Sequence, residues 1–585
     1  MQRIIKPITA ILVITIVSCL LFPSKGYSTT TISTTANSFI IYQIIGLKPV
    51  LTAPIEARLA HSLEALTPPL TSDVIQRWYQ QAYSEIQQGL SPYGYFKPSI
   101  QSKLVYRNKT WHATYQVVPG PLLKITHLKV SIQGEGLNND ALKKLMAQLP
   151  LHQGGSFLSA NYEETKQKLL TAAITEGYLS AYFIQHQVLI NRQSYKADVI
   201  LILDTGPRFY FGPVTFQQSI LKDSFLRRYI PFNDRDPYSS KKLLELEDNL
   251  NSSGYFQRVS MSAMAITKQT QQIPIIFNLT SRPSQQYTAG IGYSTDVGVR
   301  GTLGWESRYL NQYGHNLNAI SQLSKVQNSL QTTYTIPGKY PNTDNYTINF
   351  AVVRKQLAQV NNTTQQLGLG SVGQWKSWQR NLFLNYQIER FNYIDRPKVI
   401  SHLLTPGINF SRSQFDNPVF ALHGYRLNLR LQGADKNLLS SASFIQTQLQ
   451  TKYITSWNEN SRLIFRSDIG YTITPDPNNF PPSLLFYAGG SQSIRGYDYQ
   501  ALGPGRYLMV GSAEYQHRII NNFYAAAFFD AGNAVNSFPI NLQKGAGVGV
   551  IWISPLGPME LTLGKALDQP GHPLRLQFSM GIDLL

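Results

Sequence analysis

The stretch Leu574-Arg575-Leu576-Gln577-Phe578-Ser579-Met580-Gly581-Ile582-Asp583-Leu584 alternates strictly. Leu574, Leu576, Phe578, Met580, Ile582 and Leu584 share one face of an extended strand, and Arg575, Gln577, Ser579, Gly581 and Asp583 share the other. A period of two marks a strand lying between an apolar and a polar environment. The same alternation recurs at residues 425–431, 462–471, 507–518, 523–532 and 559–565, separated by Asn, Gly, Pro and Asp, and helical periodicity vanishes from about Tyr287 onward. Such strands build either a sandwich with the apolar face inward or a barrel with that face outward in lipid. Composition favours the barrel. Charged residues are only 15 % of the chain and aromatics 12 %, with Tyr (34) outnumbering Phe (27). The roughly 300 residues past Tyr287 divide among 16 strands at about 19 residues each with a loop, and closures of 14 or 18 strands fit nearly as well. Residues 284–585 are therefore read as an all-β transmembrane barrel of 16 antiparallel strands, a non-membrane β-domain being the alternative.

Upstream, the chain repeats itself. A helix-like amphipathic stretch ends three times in glycine followed by an aromatic, at Gly94-Tyr95, Gly177-Tyr178 and Gly254-Tyr255, with spacings of 83 and 77 residues. Val74, Trp78, Ala82 and Ile86 precede the first, and Tyr162, Lys166, Leu169, Leu170 and Ala173 the second, at helical spacing. Glycine there suits a left-handed helix stop. A β-rich run opens each unit, at residues 39–47, 122–132 and 209–216, and strand-like alternation closes it. Pro119-Gly120-Pro121 and Thr205-Gly206-Pro207 mark the seams. The expected organisation is three α/β units at residues 36–119, 120–205 and 206–283.

Arg3 and Lys6 precede an uncharged run at residues 8–22, long enough for a signal-peptide core and too short to span a bilayer. Residues 1–26 are read as a leader, although Ile16-Val17-Ser18-Cys19 also mimics a lipoprotein box. Cys19 is the only cysteine, so the exported chain would be indifferent to an oxidising compartment. The net charge of +19 fits nucleic acid, an acidic membrane surface or a protein beside lipid phosphates, and alone does not choose among them. No nucleic-acid partner is expected of an exported barrel.

Enzyme motifs are absent: there is no G-x-S-x-G elbow, H-E-x-x-H or Walker-type loop, and the ten His show no ligand spacing. No catalysis, metal or other cofactor is expected. What stands out is Gly489-Gly490-Ser491-Gln492-Ser493-Ile494-Arg495-Gly496-Tyr497, in a long loop, followed by Glu514 and Asp530 on faces opposite apolar neighbours. Both carboxylates should then point into a lumen. Arg495 is either a solvated loop cation or an inward-folded arginine that pins the loop by bidentate pairing.

The segment at 489–497 resembles the G-G-x-x-S-[VI]-R-G-[YF] loop of the outer-membrane superfamily that includes BamA and the two-partner-secretion transporters. Phe528-Phe529-Asp530-Ala531-Gly532-Asn533 is similar to its F-x-D-x-G-N strand, and Gly511-Ser512-Ala513-Glu514 to its G-x-x-E strand. The α/β units look like POTRA repeats, and three of them before a barrel most resemble the TamA-like, translocation-and-assembly-module branch. The resemblance implies several things. Arg495, Gly496 and Tyr497 would fold into the lumen against Glu514 and Asp530. The first and last strands would form a weak lateral seam, eased by Gly290, Gly292 and Gly581. The barrel would sit in a Gram-negative outer membrane with its repeats in the periplasm, helping to insert or export β-barrel or autotransporter clients beside a TamB-like inner-membrane partner, and it would serve outer-membrane lipids as well. A two-partner-secretion exporter is the rival within the superfamily, though two repeats and a plug helix are usual there. A passive porin is the rival outside it. One departure is the chain end, Leu584-Leu585, where the superfamily often has Phe or Trp.

Overall fold

A computed structural model describes residues 40–580 except 68–69, 192, 263–270, 357–359, 394–397, 418–419, 476–479 and 556. The expected leader and Gly581 lie outside the described residues. The chain divides into two compact units: one holds residues 1–210 and 237–240, and the other holds 211–236 and 241–585. The sequence reading separates a third repeat from the barrel, whereas here most of that repeat groups with the barrel.

In the first unit each repeat is a three-stranded sheet covered by helices. Strands Ile40–Ile45, Ser99–Arg107 and Thr110–Val118 make the first, with the third strand central. The first strand runs parallel to it and the second antiparallel. Lys124–Gln133, Tyr182–Asn191 and Lys196–Asp204 repeat that arrangement. Helix Ser72–Leu90 buries Ile75, Trp78, Ala82 and Ile86. The inward residue is thus Ile75 rather than Val74, because the three-residue step to Trp78 keeps Ile75 on the core side. In helix Ser159–Thr175, Tyr162, Thr165, Leu169 and Ala173 are buried, while Lys166 turns outward to Glu163. The turn glycines Gly94, Gly177 and Gly254 have φ of +85°, +94° and +81°, a region other residues resist. Their turns also receive the next segment: Leu123 N–H donates to Gly94 O and Phe209 N–H to Gly177 O, both at 2.9 Å.

The second unit opens with the third sheet, formed by Tyr210–Gln217, Phe256–Met261 and Gln272–Ser281. The described residues then form a closed barrel of 16 strands in sequence order, from Gln285–Ser294 to Leu574–Met580, with antiparallel neighbours. The fold class expected from the sequence is therefore what the structure shows. Outward positions are apolar: Leu367, Leu369, Leu574 and Leu576 are more than half exposed. Inward positions such as Gln432, Gln446 and Gln577 are polar and buried. Among the described residues no helix is long and apolar enough to cross a membrane. The strands serve that purpose, since closure leaves no unpaired edge in lipid.

The third repeat is docked on the near end of the barrel, from which the first strand starts. Lys222 N–H donates to Gln312 O at 2.9 Å and Tyr255 Oη to Gly314 O at 2.5 Å. Arg228 reaches Gly338 O at 3.3 Å, and Asn342 Nδ2 donates to Asn249 Oδ1 at 2.8 Å. Arg227 pairs with Asp223 and Lys242 with Asp236. These cations serve the repeat's own structure and its docking.

Candidate functional site

The described residues of the loop between Thr474 and Arg506 fold into the lumen from the far end of the barrel, carrying a small ribbon of Phe486–Ala488 with Leu502–Gly505. Its apolar side packs as Phe486, Ala488, Ile494 and Tyr497 against Leu508, Val510, Ala534 and Ala566. That packing carries Arg495 into full burial, with no exposed area.

The guanidinium is saturated. Nε donates to Asp530 Oδ2 and Nη2 to Asp530 Oδ1, both at 2.8 Å, a bidentate pair. The Arg495 backbone N–H adds a third bond to Asp530 Oδ2 at 3.0 Å. Nη1 donates to Glu514 and lies 3.6 Å from Glu560. Nη2 also meets Ser512 Oγ at 3.3 Å, and the Phe528 ring centroid lies 3.5 Å from the guanidinium carbon. Strand register explains the convergence. Ser512 sits directly opposite Asp530, and Glu514 opposite Phe528. Ser512 Oγ donates to Asp530 Oδ1 at 2.6 Å, fixing the carboxylate for its partner.

The loop lies on a floor of glycines. A Cβ on Gly545 would come within 2.0 Å of Arg495 O, and one on Gly564 within 2.7 Å of Gly496 N. Gly496 itself has φ of +93° and donates its N–H to Gln577 Oε1 on the last strand at 3.2 Å. Tyr497 Oη donates to Lys544 O at 3.3 Å. The start of the loop crosses to the opposite wall, where Ser483 N–H donates at 3.2 Å to Glu389, which is fully buried.

Arg495, Gly496, Tyr497, Glu514 and Asp530 are thus brought together in the lumen. Sequence reasoning missed Glu560, Glu389, Gly545 and Gly564, and gave Ser512 and Phe528 no role beyond their strand motifs. Glu560 was findable, because it alternates with apolar Leu561 and Leu563 in a stretch already read as a strand.

Gln285–Ser294 is registered along its whole length with Gly298–Ser307. Against the last strand, the described residues register at one position only, Ser294 with Ser579. Thr295 N–H adds a bond to Phe578 O at 3.0 Å. Gly292 faces this seam, with Met580 O 3.7 Å from where its Cβ would be. Gly290 instead lies over Thr302 of the second strand. A polar cavity of about 410 Å³ occupies the lumen, lined by Lys355, Arg430, Gln446, Gln448 and Asp468 among others. Among the described residues no group of His, Cys, Asp and Glu is arranged to hold a metal ion.

Fold and site together define a membrane β-barrel preceded by α/β repeats and plugged by an arginine-anchored loop. Residues 258–584 match the Omp85 superfamily domain, and the chain belongs to the Omp85 superfamily. Residues 41–119 match the POTRA domain described as TamA domain 1, and residues 209–282 match a POTRA profile described as a surface antigen variable number repeat. The chain is 22 % identical over 535 residues to outer membrane protein assembly factor BamA of Nitratidesulfovibrio vulgaris, covering 84 % of this chain and 66 % of that protein. Against BamA of Neisseria meningitidis serogroup B the figures are 21 % over 542 residues, 77 % and 66 %. It thus spans about two thirds of the length of these curated relatives. The crystal structure of Haemophilus ducreyi BamA lacking POTRA domains 1–3 superposes with a TM-score of 0.67 at 18 % identity, covering 78 % of this chain and 99 % of that one, a likeness of fold.

Proposed function

We propose that this chain is an outer-membrane assembly factor of the TamA-like type, its repeats in the periplasm, which inserts or exports β-rich clients such as autotransporters through a laterally opening seam. The observation that carries the reading is the Omp85 superfamily barrel with a lumen loop anchored by Arg495 and resting on the last strand through Gln577. Parting of the first and last strands would expose backbone donors and acceptors to an incoming client strand, which is how β-augmentation works. The TamA-like match at residues 41–119 supports a TamB-like inner-membrane partner at the first repeat. A role in supporting phospholipid supply to the outer membrane belongs to the same reading. The chain acts by binding and templating, without catalysis.

The test is a disulfide across the seam, Ser294→Cys with Ser579→Cys, in a Cys19→Ser background. Locked protein is expected to lose client assembly and to recover it on reduction. Full assembly by the locked form would reduce the barrel to an anchor and move the activity to the repeats. For the partner, a photo-reactive residue on edge strand Ser99–Arg107 should capture the TamB-like protein, and labelling confined to other proteins would remove it from the reading.

A further inference from the structure

The lumen loop touches both lips of the seam. On the first-strand side, Asp296 sits in the far-end turn between Gln285–Ser294 and Gly298–Ser307. Its Oδ2 accepts from Ser491 N–H at 2.8 Å and from Ser491 Oγ at 2.7 Å. Gly490 makes the approach possible: it has φ of +102°, and a Cβ there would meet Asp296 Oδ2 at 2.9 Å. On the last-strand side, Arg575 forms an ion pair with Asp498, and Gln577 accepts from Gly496 N–H and donates to Tyr497 O at 3.4 Å. Eight residues of one loop therefore span the far-end mouth of the seam. The contacts are unequal. Residues 495–498 rest on the C-terminal strands through the buried Asp530 and Glu514 pairs and the Gly545 and Gly564 floor, whereas the other lip is held through Ser491 to Asp296.

We infer that Asp296 is the catch of the lateral seam: the loop rides with the C-terminal strands, and parting the lips at the far end requires the Ser491–Asp296 bonds to break first. This inference rests on the gate reading above and names the residues that regulate it. Two hydrogen bonds to a carboxylate, one from a backbone N–H, are directional and reversible, unlike the saturated Arg495 cluster. Asp498–Arg575 is the more exposed partner contact on the opposite lip, with the Asp498 side chain 63 % accessible.

The experiment uses the full-length chain reconstituted in lipid vesicles, with Ser294→Cys and Ser579→Cys as the probe and the rate of oxidant-driven bridging as the readout. Asp296→Ala is expected to slow bridging about ten- to a hundredfold, the loss that two net hydrogen bonds produce. Asp296→Asn keeps an acceptor oxygen and should stay within about twofold of the parent. Ser491→Ala removes one bond of the two and should fall between. Asp435→Ala, an equal loss of charge in another far-end loop, should leave the rate unchanged. Heat-modifiable gel mobility verifies that each variant holds a folded barrel, and Ser491→Ala carries the test should Asp296→Ala not fold. Parent-rate bridging by Asp296→Ala, or by Ser491→Ala in that case, overturns the catch. Failure of the gate reading shows separately, as undiminished client assembly by the locked parent.

Discussion

At Arg495 one cation faces three carboxylates, from Asp530, Glu514 and Glu560, with no water-exposed side. Buried ion pairs add little net stability over a packed apolar core, but removing one partner strands the others at a cost of about 3–5 kcal/mol. Arg495→Ala is therefore expected to unseat the loop while the strand ladders keep the barrel closed, cutting client assembly about tenfold or more, since each 1.4 kcal/mol is a factor of ten. Arg495→Lys keeps the charge but loses the fork and should recover only part of the activity, and an assembly assay on folded variants checks both. A steric route reaches the same state. Gly545→Val places a side chain where Arg495 O now lies, an overpacking worth about 1–3 kcal/mol. The expected result is faster labelling of a cysteine at Ser491 by a membrane-impermeant maleimide. At this scale the sequence was a partial guide. Arg495, Glu514 and Asp530 announce themselves as charges on polar faces of apolar strands, but Gly545 and Gly564 look like any other strand glycine. Their role exists only once closure lays the loop across them.

At the scale of elements, the turn at residues 308–315 fixes the third repeat. Gly314 has φ of +73°, and a Cβ there would come within 2.6 Å of the Phe225 ring and Tyr255 Oη. Gly314→Val should undock the repeat, read as about tenfold faster hydrogen exchange at the Lys222 amide, which now donates to Gln312 O. Burial, and secondarily Arg228, hold the neighbouring His315 below its usual value of 6.5. The unfolded or undocked histidine takes up a proton more readily than the docked one. The docking is therefore fully stable above about pH 6.5 and weakens as pH falls from there toward the lower docked value. Lys222 protection, corrected for intrinsic exchange, should decline between pH 7.5 and 5.5, and His315→Gln should flatten the decline. None of this contact was readable from sequence. The Gly-aromatic turns were, because helix stops are local, whereas docking pairs residues 91 apart such as Lys222 and Tyr313.

For the whole molecule, the order of repeats and barrel follows from periods of about 80 residues and of two, which survive any tertiary detail, whereas the choice of 16 strands over 14 or 18 needed the closed barrel itself. Where one unit ends and the next begins does not follow from those periods, because it depends on which surfaces bury each other. The grouping of residues 211–236 with the barrel yields a prediction. A chain lacking residues 40–209 should still fold as a barrel and bridge Ser294→Cys to Ser579→Cys at the parent rate, while losing capture of any partner that binds the first repeat. Bridging assayed on the truncated protein checks this. The docking has one more consequence. The third repeat grips the turns after the second and fourth strands, at residues 308–315 and 338–344, while the loop stiffens the wall on the other flank. Any force on the third repeat would therefore reach the barrel wall through these two turns, with Gly314 at the point of contact.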